Sequence, residues 1–310
     1  MARIGGTSLD VFPLCLGGNV FGWTADENQS FAVLDAFAAA GGNFADTADV
    51  YAAWAPGNQG GESETILGRW MAARGNRDRV VVATKVGMLA PLRGLGANTI
   101  RAAAEGSLRR LRTDRIDLYY AHVDDAATPL EETLTAFDAL VREGKVRHIA
   151  ASNYAAPRLA EALAVSKRMG LARYVALQPR YNLVHRSEYE DALGPLCARE
   201  GLACFPYPAL AGGFLAGKYR PGAPVESARA ASAGKHLDER GLRILAALDA
   251  IAAQRRTTVA AASLAWLRSR PAVVAPIASA RTPEQLADLL PGASLRLTDV
   301  EVKALDAASA

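Results

Sequence analysis

Four side chains of different chemistry follow three successive strand-like runs of the chain. They are a carboxylate, a phenol, an ammonium and an imidazole, on Asp46, Tyr51, Lys85 and His122. In a repeating β/α barrel the carboxyl ends of all strands lie on one face, and barrel enzymes have their active sites there. Four such groups converging on one pocket would form a site for proton transfer.

Each of these residues also has a structural interpretation when it is taken alone. An aspartate at a strand end is most often a helix N-cap, and a loop tyrosine usually serves packing. A lysine after a strand usually faces solvent, and a lone histidine is usually structural. Because the four occur together and in order, the sequence favours the catalytic interpretation. His148, His185 and His236 have no comparable context and are expected to be structural.

The elements that must position these side chains alternate regularly. Strands are predicted over residues 13–17, 43–46, 80–85, 116–122, 146–152, 174–178, 203–206 and 273–277. Helices are predicted over residues 27–40, 62–74, 99–111, 130–143, 157–169, 188–199, 240–255 and 283–290. Alternating strands and helices indicate a parallel sheet, and eight repeats predict an α/β fold closed into a (β/α)8 TIM barrel.

Three segments fall outside this repeat. Residues 1–12 are predicted to form a hairpin at the bottom of the barrel, and residues 258–268 an extra helix. Residues 207–239 are rich in Ala, Gly and Pro without a clear period, and so long a connection is usually functional or mobile. Thr99 and Thr282 are predicted helix N-caps.

The composition restricts the class of protein. The chain has 310 residues, of which 50% are hydrophobic, and no linker divides it, so a single domain over residues 1–310 is predicted. The net charge is only +3 and no basic run occurs, which argues against a nucleic-acid partner. The three cysteines lack metal-site spacing, so reduced thiols and no metal are expected. No apolar signal core or membrane-length run is present, which predicts a cytoplasmic protein without a membrane partner. The oligomeric state stays open.

Seven short motifs occur along the chain in one order, at residues 46–51, 83–85, 117–122, 144–147, 152–153, 178–182 and 212–219. With these motifs the chain resembles the aldo-keto reductase family, in its broad bacterial branch, over nearly its whole length. The resemblance implies a TIM-like barrel, NADPH bound without a Rossmann fold, and reduction of aldehydes or ketones to alcohols. The absence of a Gly-x-Gly-x-x-Gly motif after the first strand agrees with it.

The resemblance also implies roles for the first four residues. A carbonyl that receives hydride at carbon needs a proton at oxygen. Tyr51 would be the general acid, and Lys85, at roughly 4 Å, is expected to lower the phenol pKa from its usual ~10. Asp46 would keep Lys85 charged and aimed, and His122 would donate a hydrogen bond to the carbonyl, orient it and assist the proton relay.

A cofactor site follows from the same resemblance. Ser152, Asn153 and Gln178 would hydrogen-bond the nicotinamide amide, and Tyr207 would stack on its ring. Arg281, beside a helix N-terminus, would bind a 2′-phosphate, hence NADPH rather than NADH. The other residues of this predicted cofactor site are Asn19 near the nicotinamide, Leu210, Gly212 and Lys218 along the pyrophosphate, Ser279, and Gln285 at the adenine.

Two positions depart from the family pattern. Pro208 replaces a serine that precedes the Pro-Leu pair in relatives, and its lack of a hydroxyl and an amide hydrogen puts a phosphate contact in question. Ser279 replaces a glycine, which puts in question how closely the backbone approaches the adenosine phosphate. Neither position touches the chemical step.

The sequence also predicts a substrate pocket and leaves two alternative functions open. Phe21, Trp23, Trp54 and Tyr181 are predicted to wall an apolar pocket for a small carbonyl substrate, such as an aryl aldehyde, a ketone or a methylglyoxal-like compound. The main alternative is a non-catalytic, NADPH-binding, redox-sensing subunit of a membrane channel. A barrel isomerase or aldolase with Lys85 as its Schiff-base or phosphate residue is a third hypothesis, which the predicted cofactor residues disfavour.

Overall fold

The computed structural model describes residues 1–222 and 225–310. A two-stranded antiparallel hairpin comes first, from β1 (Ala2–Arg3) and β2 (Asp10–Val11), as predicted. One parallel sheet contains the eight other strands: β3 (Cys15–Gly17), β4 (Phe44–Asp46), β5 (Val81–Val86), β6 (Ile116–Ala121), β7 (Val146–Ser152), β8 (Tyr174–Gln178), β9 (Ala203–Cys204) and β10 (Ile277–Ala278). Each strand from β3 to β8 pairs with the next along the chain, and β10 pairs with β3.

Residues 272–278 join the two edges of this sheet. The Val274 N–H donates to the Cys204 carbonyl at 3.0 Å, and the Ile277 N–H donates to the Pro206 carbonyl at 2.9 Å. On the other side, the Cys15 N–H donates to the Pro276 carbonyl at 3.0 Å. The predicted (β/α)8 barrel is therefore confirmed, with a last strand that is regular only at its end.

Burial on both faces explains why the strands read as continuous apolar runs. Leu118, Tyr120 and Phe205 belong to a cluster inside the barrel. Alternate residues such as Tyr119 and Leu177 belong to the larger cluster between the sheet and the helices. All six residues of both β5 and β6 are buried. The period of two along each strand thus decides which side chains reach the barrel axis.

Eleven α-helices surround the sheet in the described ranges: α1 (Glu27–Ala39), α2 (Glu62–Arg74), α3 (Ala97–Leu111), α4 (Leu130–Arg142), α5 (Ala156–Met169), α6 (Gly194–Glu200), α7 (Ala230–Gly234), α8 (Glu239–Arg255), α9 (Val259–Arg268), α10 (Pro283–Leu289) and α11 (Asp299–Ala308). Thr282 caps α10 as predicted. Thr99 is not an N-cap, because α3 begins two residues earlier, after Gly96. The Ala97 N–H there donates to the Glu132 carboxylate of α4 at 2.9 Å. A side chain distant in sequence therefore accepts from a free N–H group at the start of α3, as an N-cap side chain would.

Two further differences concern helices. The predicted helix 188–199 is π-helical over Tyr189–Leu193 and becomes α-helical only in α6. Helix α11 was not predicted, although Thr298 and Glu301 form a capping box that marks its start in the sequence. The long segment 207–239 holds a 3₁₀ turn at Ala211–Ala216 and the short α7, and its residues 223 and 224 lie outside the described ranges.

The remaining structural expectations concern thiols, metals and membranes. Cys15, Cys197 and Cys204 are free and buried, as predicted. In the described part of the chain, no group of three or more His, Cys, Asp or Glu side chains is arranged to hold a metal ion. None of the helices in those same ranges combines the length and the apolarity that crossing a bilayer requires.

Candidate active site

The side chain of Lys85 forms the centre of the site at the carboxyl end of β5. It is fully buried, and its ammonium donates three hydrogen bonds. The acceptors are Asp46 Oδ2 at 2.6 Å, the Thr47 carbonyl at 2.7 Å and the Tyr51 hydroxyl at 2.9 Å. Asp46 ends β4, and Tyr51 lies in the turn that follows it. The structure therefore brings three of the four residues into direct contact.

The protonation of Tyr51 differs from the expectation. Burial, followed by the Asp46 carboxylate, raises the pKa of Tyr51 well above its usual value of 10.0, so the predicted lowering is wrong. The reason is geometric, because the same Asp46 Oδ2 that lies 2.6 Å from the Lys85 ammonium lies 3.2 Å from the Tyr51 hydroxyl. The carboxylate offsets the lysine charge, and the phenol keeps its proton.

Gln178 fixes the other side of Asp46. Its Nε2 donates to Asp46 Oδ1 at 2.9 Å across the barrel from the end of β8. Ser152, at the end of β7, donates from its hydroxyl to the Gln178 carbonyl at 2.9 Å. Asp46 is thus held at both oxygens, which aims its Oδ2 at Lys85 and Tyr51.

His122 follows β6 and lies beside Tyr51, with the two ring centroids 6.1 Å apart. Burial, and then Lys85, lowers the pKa of His122 well below 6.5, so its imidazole is neutral at physiological pH. Its Nδ1 is buried and has no hydrogen-bond partner in the described part of the chain. Asn153 holds this residue from behind by donating to the His122 carbonyl at 2.8 Å, and Asn153 also accepts a hydrogen bond from the Tyr207 hydroxyl.

A cleft leads away from these residues along the segment 207–239 to α10. Asp46, Tyr51, Asn19, Gln178 and Tyr207 line one part of it. Lys218, Arg281 and Gln285 line another part. The two parts share the walls Leu210, Gly212, Gly213, Arg229 and Ser279. The predicted cofactor residues thus line these two adjoining parts, except Ser152 and Asn153, which hold Gln178 and Tyr207 of the walls.

Arg229 is a wall residue that the sequence reasoning missed. It lines both parts of the cleft, and its guanidinium lies 5.7 Å from the centre of the Trp23 ring. Burial lowers its pKa from 12.5, and the positive charge of Arg281, another residue of the cleft wall, acts in the same direction. The one sequence signal was an arginine inside the long connection that was already suspected of function.

The two departures from the family pattern lie in this cleft. The Ser279 hydroxyl donates to Asn19 Oδ1 at 2.6 Å, so the extra oxygen finds a partner. Pro208 lines the cleft beside Tyr207, and its carbonyl accepts from Asn182 Nδ2 at 2.9 Å. At α10, the Gln285 side chain accepts from the Arg281 N–H at 3.0 Å, which fixes the start of that helix.

The four residues of the predicted aromatic wall lie in two groups. Trp23 and Trp54 stack edge to face at 5.6 Å, Trp54 is 49% exposed, and its ring lies 6.0 Å from that of Tyr51. Phe21 and Tyr181 are fully buried instead. Tyr181 turns away from the cleft, since its ring packs on Trp266 at 5.5 Å, and its hydroxyl donates to Glu190 at 2.7 Å.

Comparison with known proteins agrees with this geometry. The chain matches the Aldo/keto reductase family over residues 13–310. It is 35% identical to norsolorinic acid reductase stcV of Emericella nidulans over 94% of this chain and 76% of that protein. It is 36% identical to the uncharacterized oxidoreductase YrpG of Bacillus subtilis, over 95% of this chain and 91% of that protein. A probable voltage-gated potassium channel subunit beta of Oryza sativa subsp. japonica is 34% identical over 92% of this chain and 88% of that protein. The chain belongs to the aldo/keto reductase family.

Proposed function

We propose that this oxidoreductase reduces aldehydes or ketones to alcohols with NADPH. The observation that carries the proposal is the buried Lys85 ammonium, hydrogen-bonded to both Tyr51 and Asp46. A phenol held in this way presents a proton at a fixed point, which is what a carbonyl oxygen requires when it gains negative charge.

In this proposal Tyr51 is the general acid. Its raised pKa keeps it protonated, and the Lys85 hydrogen bond at 2.9 Å stabilises the phenolate that remains after the proton has left. The neutral His122 donates a ring N–H to the carbonyl oxygen and orients it. Asp46 and Gln178 are positioning residues, because Asp46 holds Lys85 and Gln178 holds Asp46.

The cleft residues fit a phosphate-rich dinucleotide. Lys218, Arg229 and Arg281 lie along it, and none of the three forms an ion pair with a carboxylate in the described ranges. Gly212 and Gly213 have φ angles of 68° and 99°, so a side chain there would be strained, and a bare backbone faces the cleft. When bound, NADPH would supply the hydride. Arg281 beside α10 suits a 2′-phosphate.

The substrate pocket supports an apolar carbonyl compound. Trp54 is 49% exposed, and its ring lies edge-on to those of Trp23 and Tyr51, which line the cleft. Such a wall favours aryl aldehydes and ketones over heavily charged sugars. A relative named aryl-alcohol dehydrogenase, from Pestalotiopsis microspora and 31% identical over 96% of this chain, supports an aromatic substrate here.

The alternatives are less well supported. A non-catalytic NADPH-binding subunit stays a second candidate because of the channel-subunit relative, but it would not need an intact Asp46–Lys85–Tyr51 arrangement. A Schiff-base aldolase would need an accessible amine, and Lys85 is fully buried with its three N–H groups engaged. We also infer that residues 1–310 form one domain, because strands from both ends of the chain pair within one sheet.

The test is NADPH oxidation, followed by fluorescence, with 4-nitrobenzaldehyde as substrate. We expect the wild-type protein to turn this substrate over. Tyr51→Phe should lose about 10²- to 10⁴-fold in kcat, since a positioned general acid contributes a factor of that size. NADPH affinity, measured by fluorescence titration, should stay unchanged in the variant, since binding and proton donation use different groups. Equal turnover in both proteins would remove Tyr51 from its role, and binding without any turnover in wild type would favour the non-catalytic subunit.

A further inference from the structure

Tyr120 lies directly beneath the site, inside the barrel. Strands β5 and β6 pair so that Lys85 lies opposite Tyr120, and paired residues of neighbouring parallel strands point to the same face. Tyr120 is completely buried, and the Lys85 ammonium lies 5.8 Å from the centre of its ring. That distance falls within the ~6 Å range in which an aromatic face attracts a cation.

The ammonium of Lys85 is therefore held on several sides. Its protons point to Asp46, Thr47 and Tyr51, and the ring of Tyr51 lies 4.5 Å away on one side. The ring of Tyr120, which belongs to the cluster inside the barrel, lies 5.8 Å from the ammonium. A lysine has a flexible four-carbon stem, so its position depends on what surrounds the charged end.

We propose that Tyr120 is a positioning residue of the reductase, one that holds Lys85 against Tyr51 and Asp46 through the face of its ring. It does not belong to the walls of the cleft, and so it acts through Lys85 rather than on the substrate. The inference rests on the proposed function, because it assigns Tyr120 to the same proton-donating arrangement.

Tyr119 provides a matched control within the same strand. It is also completely buried, and its hydroxyl, like that of Tyr120, has no hydrogen-bond partner in the described part of the chain. It points to the opposite face of the sheet, where its ring lies 5.6 Å from Phe137 of α4. Replacing either tyrosine removes a similar packing contribution, but only Tyr120 faces Lys85.

The first experiment compares steady-state kinetics of the holoenzyme with 4-nitrobenzaldehyde. We expect Tyr120→Leu to lower kcat roughly tenfold, because a desolvated cation–π contact is worth about that factor. Its KM and its NADPH affinity should change less than about twofold, and Tyr120→Phe, which keeps the ring face, should recover kcat. Tyr119→Leu should lose similar thermal stability and keep its kcat. Equal kcat values in Tyr120→Leu and Tyr119→Leu would overturn the proposal.

A second measurement needs no turnover. The ammonium signal of Lys85 in protein labelled with ¹⁵N-lysine, assigned by its absence in Lys85→Met, reports on the surroundings of the charge. We expect this signal to shift or broaden in Tyr120→Leu and to stay unchanged in Tyr119→Leu. If Tyr120→Leu does not fold, Tyr120→Met provides similar volume without a ring. A failed proposed function would appear as absent wild-type turnover, whereas an unchanged Lys85 signal would refute the role of Tyr120 by itself.

Discussion

At the scale of single residues, the site works through the charge that each group carries. The buried Lys85 compensates Asp46, Tyr51 keeps its proton, and His122 stays neutral. In such an arrangement the protonated Tyr51 can donate a proton to a carbonyl, but it cannot accept one from an alcohol until it has lost its own. In the proposed reaction, this protonation state is the one that carbonyl reduction requires near neutral pH.

This protonation state predicts the pH dependence of catalysis. The pKa of Tyr51 lies well above 10.0 and that of His122 well below 6.5, so neither group titrates between them. We expect kcat for reduction to be nearly flat from about pH 6 to about pH 9, and alcohol oxidation to rise with pH because it needs the Tyr51 phenolate. Stopped-flow pH profiles of both directions would test this. A decline of reduction at the usual histidine pKa, unaltered in Asp49→Asn, would contradict the neutral imidazole.

Asp49 is a buried carboxyl outside the proposed chemistry. It has no hydrogen-bond partner for either oxygen in the described ranges, and burial, followed by Glu64, raises its pKa to about 7. The folded protein thus binds this proton more tightly than the unfolded chain does, so the stabilising contribution is present at low pH and is lost as pH rises towards 7.

Replacement of Asp49 by a neutral residue should therefore remove the loss of stability that occurs as pH rises towards 7. We expect the gain in unfolding free energy of Asp49→Asn to be about 2 to 4 kcal/mol larger at pH 8 than at pH 4. Urea denaturation at both pH values measures it. Asp35→Asn is the control of opposite sign, because the Arg74 hydrogen bond lowers the pKa of Asp35, and its contribution is lost as pH falls. A gain from Asp49→Asn that does not depend on pH would contradict the raised pKa.

At the scale of elements, the cleft depends on two segments at the carboxyl end of the barrel. The connection 207–239 brings Lys218 and Arg229 to it, and the turn before α10 brings Arg281. Neither segment belongs to a long regular element, so function here depends on loops that a rigid barrel positions.

The cofactor preference can be tested on these cations. We expect Arg281→Ala to weaken NADPH binding by about 10- to 100-fold and NADH binding much less, since only NADPH carries the 2′-phosphate. Arg229→Ala should weaken both cofactors, because Arg229 lines the cleft nearer to Tyr51. Arg243→Ala, on an exposed i,i+4 pair of α8, is the control. Fluorescence titration with each cofactor gives the ratios, and equal weakening by Arg281→Ala would refute the 2′-phosphate assignment.

At the scale of the whole molecule, the two ends of the barrel have separate roles. The proposed site lies at the carboxyl ends of the strands. At the opposite end, the buried Asp117 of β6 forms an ion pair with Arg77 at 2.9 Å and accepts hydrogen bonds from Arg147 at 3.0 Å and from the Val82 N–H at 2.9 Å. These contacts join three neighbouring strands, and barrels commonly place stability at this end.

Asp117→Asn should therefore reduce stability without changing the chemistry. We expect a loss of about 3 kcal/mol in unfolding free energy, because two arginines lose a buried partner. The kcat of the folded fraction should stay within about twofold of wild type. Asp114→Asn, whose side chain is 86% exposed, should lie within about 0.5 kcal/mol of wild type. A loss of kcat in folded Asp117→Asn protein would show that the two ends are coupled.

The sequence by itself determined the alternation of strands and helices, the barrel and the four residues at the strand ends. Periodicity and motif spacing are properties of neighbouring residues, and so they can be read along the chain. Tertiary structure decided the raised pKa of Tyr51, the outward turn of Tyr181, the place of Arg229 in the cleft and the closing of the barrel by residues 272–278. These depend on burial and on distances between residues far apart in the sequence, such as the 2.6 Å contact between Asp46 and Lys85, which no local pattern specifies.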